Sequence, residues 1–384
     1  MTVDRLLTKP DTGVMAPQLV PVAAALKAMP RPNSGLTWIN QPHVTDFLAA
    51  LAATSSISHQ DFDALPPGRT HDYVRRLLVE HGALPGRDER LVRFGAWSEQ
   101  ALQRLPEGEH REVVRRFVRW HLIRRMNAMD TVSEGTFLRS KQTTTVAIDF
   151  LLWLTEHETT LDELTQSHLD RWQAGGPSTR EIASRFLGWA ITTKLVDPDL
   201  RMTPHRRGTS PKLPAGEQDQ ALQALVHYPK DGLTPRDRLA AILVLVFGQQ
   251  IEDVVRMTWD QADLSSEPIT LTIGDYPIEL HPPLDEPLHQ LHADPAVAQT
   301  AAHTATQWIF PGHSPGQHLS AAHLRNRIKT VIAARAARLG ALHELTKLSP
   351  VPILAETLGY SPATIERHAT ASATFYAQYV AARR

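Results

Sequence analysis

The chain has 384 residues, 42% of them apolar and 21% charged, enough for two or three separately cored domains of an ordinary globular protein. Forty basic residues against forty-one acidic ones leave it near neutrality, so bulk charge announces no polyanion and any nucleic acid must be met by local patches. The absence of cysteine excludes disulfides and thiolate metal sites. "MTVDRLLTKPDTGV" carries acids and a proline where a secretory leader needs an apolar run, and the longest apolar run, "LAAILVLVFG", is too short to span a bilayer; a cytoplasmic location without a membrane partner is expected.

Residues 1–58 are rich in Pro, Ala and Thr with weak periodicity and predict a partly ordered arm. From 59 to 196 the pattern is helical, beginning with Tyr73, Leu77 and Leu78 at helix spacing before Gly82. Within it, "REVVRRFVRWHLIRRM" sets six arginines against one glutamate, while Val113, Val114, Phe117, Trp120 and Ile123 define an apolar face. Arg111, Arg115 and Arg119 recur every four residues and so share one side. With Arg116 and Arg124 they are candidates for tracking DNA phosphates, against the blander reading of a solvated charged face. Short helices follow around Phe150, Leu151 and Leu154, then Leu169 and Trp172, then Ile182, Phe186 and Trp189, with Thr160 and Thr165 placed as N-caps.

Residues 197–216, with prolines at 198, 204, 211 and 214 and basic residues that include Arg206 and Arg207, predict an extended basic linker. The last domain, 217–384, opens with helices and then changes period. "PITLTIGDYPIEL" fits a small hairpin turning at Gly274-Asp275, "QWIFPG" a short apolar strand, and helices resume from Ser320. His289, His292, His303, His313, His318 and His323 show no metal-ligand spacing, so neither metal nor cofactor is expected. The predicted class is mainly α with a small inserted β-sheet.

Four stretches in order, "FLLWLTEHETTLDELTQSHLDRW" with "RFLGWAITTKLV", "LVFGQQIEDVVRMTWDQADL", "WIFPG" and "ILAETLGYSPATIERH", make roughly the last 240 residues resemble the tyrosine recombinase, or phage integrase, family. The resemblance implies a helical core-binding domain (59–196) followed by the family's catalytic fold. Its chemistry is attack of a tyrosine hydroxyl on a DNA phosphodiester, with two arginines stabilising charge on the transferred phosphoryl group and His and Lys residues handling protons.

Several positions depart from what that chemistry requires. In "GQQIEDVV" the place of the first arginine is taken by Gln250, which can donate a neutral hydrogen bond but has neither charge nor a guanidinium fork. The hairpin turn that would present a lysine reads "IGDYPI", with Asp275. In "RAARLGALHEL" Arg338 matches the second arginine and Arg335 stands where a histidine would be; after "LG", where His or Trp is usual, stands Tyr360. The nucleophile position, about ten residues beyond Gly359, falls on His368 or Ala369, while Tyr376 and Tyr379 lie further on.

Arg325, Arg327, Lys329, Arg335 and Arg338 fall in a stretch without acids between Asp294 and Glu344, so binding to double-stranded DNA can outlast catalysis. The leading expectation is a degenerate member that binds duplex DNA, associated with nucleoid or plasmid, in regulation or in plasmid or mobile-element maintenance, alone, self-associated on DNA or beside an active recombinase. Two alternatives stand with it: an active integrase using Tyr376 or Tyr379, and a protein-interaction module without DNA binding.

Overall fold

The computed structural model describes residues 3–28, 32–54, 56–65, 68–204, 211–226, 233–294 and 307–382, with backbone alone for 32–35 and 373–382. The candidates Arg206, Arg207 and His303 lie outside the described residues, as do the side chains of Tyr376 and Tyr379. Among the described residues no helix is long and apolar enough to cross a membrane, and no group of three or more His, Asp or Glu is placed to hold a metal ion.

The chain divides into two compact units, one of residues 86–209 and one combining 1–85 with 210–384. The expected division at 58/59 instead falls within one apolar cluster: Leu7, Leu19, Val44 and Leu48 pack with Phe62, Val74, Leu77 and Leu78. Weak periodicity over the first 58 residues concealed short helices such as Val20–Lys27 and Pro42–Ala53, each of which buries a few aliphatic residues and is completed by its neighbours.

In the 86–209 unit the long helix Glu134–Glu156, N-capped by Ser133, contributes Ile148, Phe150, Leu151 and Leu154 to the core. Phe117 meets Phe186 edge-on with ring centroids 5.3 Å apart, and Phe150 meets Trp172 at 5.3 Å. Such pairs add roughly 0.5–1.5 kcal/mol each beyond the area they bury. Thr165 caps the helix Gln166–Ala174, with His168 returning the capping contact. The arginine-rich segment is not one α-helix. It is α-helical over Glu109–Phe117, passes through a π-helical stretch at Val118–Ile123 and ends as Arg124–Asn127. The wider turn advances the register, so Val118, Leu122 and Met126 continue the buried face and the expected core residue Trp120 is 62% exposed.

In the other unit the Pro235–Leu245 helix is buried on all sides, which explains its unbroken apolar run. Strands β1 (Ala262–Asp263), β2 (Ile269–Thr272) and β3 (Pro277–Leu280) form an antiparallel sheet in that order, with Ile269 opposite Leu280 and Leu271 opposite Ile278. The hairpin expected at Gly274-Asp275 is the β2–β3 turn. "WIFPG" makes no strand, only single bridges from Thr258 to Trp308 and from Pro311 to His318; its apolar residues Ile309 and Phe310 are buried by the surrounding helices. The helices Ala334–Leu348, Val351–Leu358 and Pro362–Ala382 close the chain, with Leu342, Leu354, Leu358 and Ile365 clustered and Phe247 packing on both this cluster and the main core.

Candidate functional site

Three chain turns converge beside the Ala334–Leu348 helix. The first follows the buried helix, where Gly248 takes φ +63° against Leu342, a conformation that strains any residue with a Cβ. Gln249 is buried and its carboxamide donates to the Leu358 carbonyl at 3.1 Å. The second is the β2–β3 turn, where the Asp275 amide donates to the Glu356 carbonyl at 2.8 Å. A Cβ at Gly274 would collide with the Glu356 and Thr357 carbonyls and the Gly359 amide, so only glycine allows this approach. The third is the end of the Val351–Leu358 helix at Gly359-Tyr360, with the Tyr360 amide donating to the Ala355 carbonyl. The three turns, far apart in the chain, thus meet through hydrogen bonds to the Glu356, Leu358 and Gly248 carbonyls.

On this frame the Tyr360 hydroxyl donates to the Gly248 carbonyl at 2.6 Å, and Arg338 Nη1 donates to the same hydroxyl at 3.4 Å. Burial pushes the phenol above its ordinary value; Arg338 opposes that shift and the nearby Asp253 carboxylate adds to it. The phenol is therefore protonated at neutral pH with its proton committed to a carbonyl, and it is no nucleophile. Gln250 begins the Ile251–Val254 helix two residues past Gly248 and is exposed, its side chain making no capping bond. Arg335 is exposed, and Asp275 offers an exposed carboxylate at the hairpin tip.

The expected nucleophile position, His368 or Ala369, is half-buried on the last helix. Around it lies a set of groups that motif reading did not find. The Lys212 Nζ is 3.0 Å and the Ser372 Oγ 2.6 Å from His343 Nδ1. The lysine ammonium can only donate, which makes Nδ1 an acceptor and the imidazole neutral. Burial, then Lys212 and Lys347, hold His343 below its ordinary value, with Glu344 opposing. His368 is lowered as well, first by burial and then by Arg338, Arg367, Lys212 and His343. No spacing rule marks these residues, because Lys212 is 131 positions from His343. Together with Arg338 and Arg367 they form a cationic neighbourhood able to attract a phosphate.

The candidate phosphate-contacting arginines fall into two groups. Arg327 donates to Asp237, which is fully buried, at 2.9 Å, and Arg325 pairs with Glu252. Arg111 donates to the Leu105 carbonyl at 2.9 Å and lies 3.5 Å from Glu107, while Arg115 pairs with Glu112 and with Glu99 at 3.5 Å. The balancing acids that local counting missed are supplied by neighbouring turns and distant segments. Arg116, Arg119, Arg124 and Lys329 are exposed and form no ion pair among the described residues. The sequence pattern gave no sign that Arg125 of the arginine-rich segment would be joined by Arg139 and Arg185 from two other helices. Partial desolvation, then Arg139 and Arg125, lower the Arg185 guanidinium, and no acid acts on it. It stays charged at neutral pH, since a guanidinium is ordinarily protonated far above that range.

No protein-family model matches the chain, and no curated protein matches it significantly in sequence. Among solved structures it is similar to the XerH site-specific recombinase bound to a palindromic difH substrate in a post-cleavage complex. The TM-score is 0.51 at 12% identity, over 71% of this chain and 92% of that one. It also matches the XerH pre-cleavage complex with difH (TM-score 0.48, 13% identity, 73% and 92% covered) and a lambda integrase dimer bound to a COC′ core site (0.43, 14%, 67% and 76%). The overlap with the post-cleavage complex, together with a mainly helical chain carrying one small antiparallel sheet, gives this protein the fold of the tyrosine recombinases.

Proposed function

We propose that this protein binds double-stranded DNA through the tyrosine-recombinase fold and has lost strand transfer, acting in regulation or in maintenance of a plasmid or mobile element. The observation that carries this reading is the chain of contacts in which Arg338 donates to the Tyr360 hydroxyl and that hydroxyl donates to the Gly248 carbonyl. Arg338, the one arginine that the resemblance finds retained, is engaged by a phenol whose proton is already donated; by the same resemblance Gln250 stands in the place of the partner arginine and His368 or Ala369 in the place of the nucleophile. Missing a preorganised charge of this kind costs phosphoryl transfer orders of magnitude in rate. Binding rests on other residues. The arginines at 116, 119, 124, 125, 139 and 185, without an ion pair among the described residues, supply phosphate contacts, for which the reactive centre is not needed.

Incubation of the full chain with a nicked duplex that traps a covalent phosphotyrosyl product, followed by denaturing electrophoresis, tests the catalytic half. The expected result is no adduct while the same duplex shifts in native gels with an affinity that falls steeply with salt. An adduct that disappears in the Tyr376→Phe, Tyr379→Phe variant would replace this reading with an active enzyme. Salt-independent or absent binding would replace it with a protein-interaction module. Self-association on DNA is part of the same proposal and is read from the stoichiometry of the shifted species.

A further inference from the structure

The 86–209 unit leaves one large apolar side chain in solvent on its most cationic segment. Trp120 is 62% exposed, although its spacing from Val113 and Phe117 places it on the buried side of an uninterrupted helix. The π-helical stretch Val118–Ile123 turns it outward, and π-turns of this kind recur at functional positions. The Arg119 guanidinium lies 5.9 Å from the indole centroid, and Arg116, Arg124 and Arg125 on the same segment are exposed without an ion pair among the described residues. Arg125 and, from a further helix, Arg139 lie close enough to Arg185 on a third for their charges to act on it.

We infer that Trp120 is a stacking platform for an unstacked DNA base, so that the protein prefers DNA with an unpaired or extruded nucleotide over a fully paired duplex. The inference rests on the DNA-binding reading above and adds the DNA feature recognised. An unstacked nucleotide carries both complements at once, a π-face for the indole and a phosphate for the neighbouring guanidinium. In a paired duplex each base is covered by its neighbours and the indole has no face to meet, so Trp120 contributes only where a base is free. An acidic protein segment would satisfy the arginines and leave the indole uncovered. An apolar one would cover the indole and leave clustered cations facing a surface that cannot answer them.

The test uses the full chain and two duplexes of one sequence, one fully paired and one with a central bulge containing 2-aminopurine. Wild type is expected to bind the bulged duplex ~10-fold tighter, the discrimination typical of one aromatic–base stack, and to quench the probe. Trp120→Ala should abolish the preference and the quenching without changing affinity for the paired duplex, and Trp120→Phe should keep part of both. Equal wild-type affinity for the two duplexes overturns the inference while leaving DNA binding intact, as does a preference that survives Trp120→Ala. Loss of self-association in Trp120→Ala with unchanged bulge preference assigns the indole to a protein contact and also overturns it. Failure to bind either duplex removes the DNA reading itself. An unaltered melting transition in both variants, expected at so exposed a position, keeps these outcomes separate from misfolding.

Discussion

The helix Ala321–Ile328 and the segment 116–125 look alike as strings of basic residues but are built for opposite purposes. In the first, Arg327 is tied to Asp237, a carboxylate with no exposure, and Arg325 to Glu252. Both acids arrive from segments distant in sequence. In the second, Arg116, Arg119, Arg124 and Arg125 are left to solvent, and the fold adds Arg139 and Arg185 to them. A guanidinium that neutralises a buried carboxylate is structural, because withdrawing it strands a charge in low dielectric. One surrounded by its own kind is available to an external anion.

Substitution of Arg327 should sharpen this contrast most. Arg327→Ala leaves Asp237 buried beside Arg236, itself lowered by burial, and should cost about 3 kcal/mol of stability, the scale for breaking a buried pair. Chemical denaturation measures the loss. The folded fraction should keep its DNA affinity, and a large affinity change with unaltered stability would break the comparison.

The reverse pattern is expected of the triple variant Arg125→Ala, Arg139→Ala, Arg185→Ala. Removing mutually repelling cations should leave the melting transition unchanged or slightly higher. The logarithmic salt dependence of duplex binding should flatten by ~0.9 units for each phosphate that is no longer neutralised. Within the arginine-rich segment, Arg119→Ala should flatten it more than Arg115→Ala, whose guanidinium is already held by Glu112 and Glu99. Equal slopes for these two single variants would show that the ion pairs do not determine availability.

A smaller effect separates His343 from its neighbours. Its folded value lies below the ordinary 6.5, so the unfolded chain takes up the proton first. The associated stability is full above about 6.5 and declines as pH falls through that value toward the lower folded one. Protonation would set the imidazolium against Lys212 and Lys347, with His368 adjoining and Glu344 the one acid acting on it. Denaturation midpoints on either side of that range should fall more with acid in wild type than in His343→Gln. His110, His121 and His368 shift in the same direction and supply the background common to both proteins.

Legibility in the sequence followed the range of the interaction. Helix periodicity located Tyr73, Leu77 and Leu78, the Thr165 cap and the Phe150 face, and turn chemistry located the Gly274-Asp275 hairpin, because each is decided within a few residues. Ordered motifs pointed to the turns of Gly248 and Tyr360, and the structure joins them through one hydroxyl. What local pattern could not show was decided by partners distant in sequence. Asp237 neutralises Arg327 from 90 positions away, and the His343–Lys212 contact spans 131. Trp120 was misplaced because a single wider turn shifts the register, and no residue within Val118–Ile123 announces it.

The smallest expected effect is at Gln250, where the family resemblance expects an arginine. Gln250 is exposed at the start of the Ile251–Val254 helix, so Gln250→Arg can be accommodated without disturbing the core. In a complete phosphoryl-transfer site a second guanidinium would contribute several kilocalories per mole, roughly, to the transition state. Here Tyr360 still closes on Gly248 beside Arg338, neither His368 nor Ala369 offers a hydroxyl and Asp275 still stands at the hairpin tip. Groups that act as a unit do not contribute singly. Gln250→Arg should therefore tighten duplex binding modestly and steepen the salt dependence by about one phosphate contact, with no covalent adduct on a nicked duplex. Tyr360→Phe, which frees Arg338 of its phenol, should cost about 1 kcal/mol of stability for the missing hydrogen bond and leave the adduct equally absent. A tyrosine-dependent adduct in Gln250→Arg would mean that one charge had been the whole deficit and that a nucleophile is already aligned.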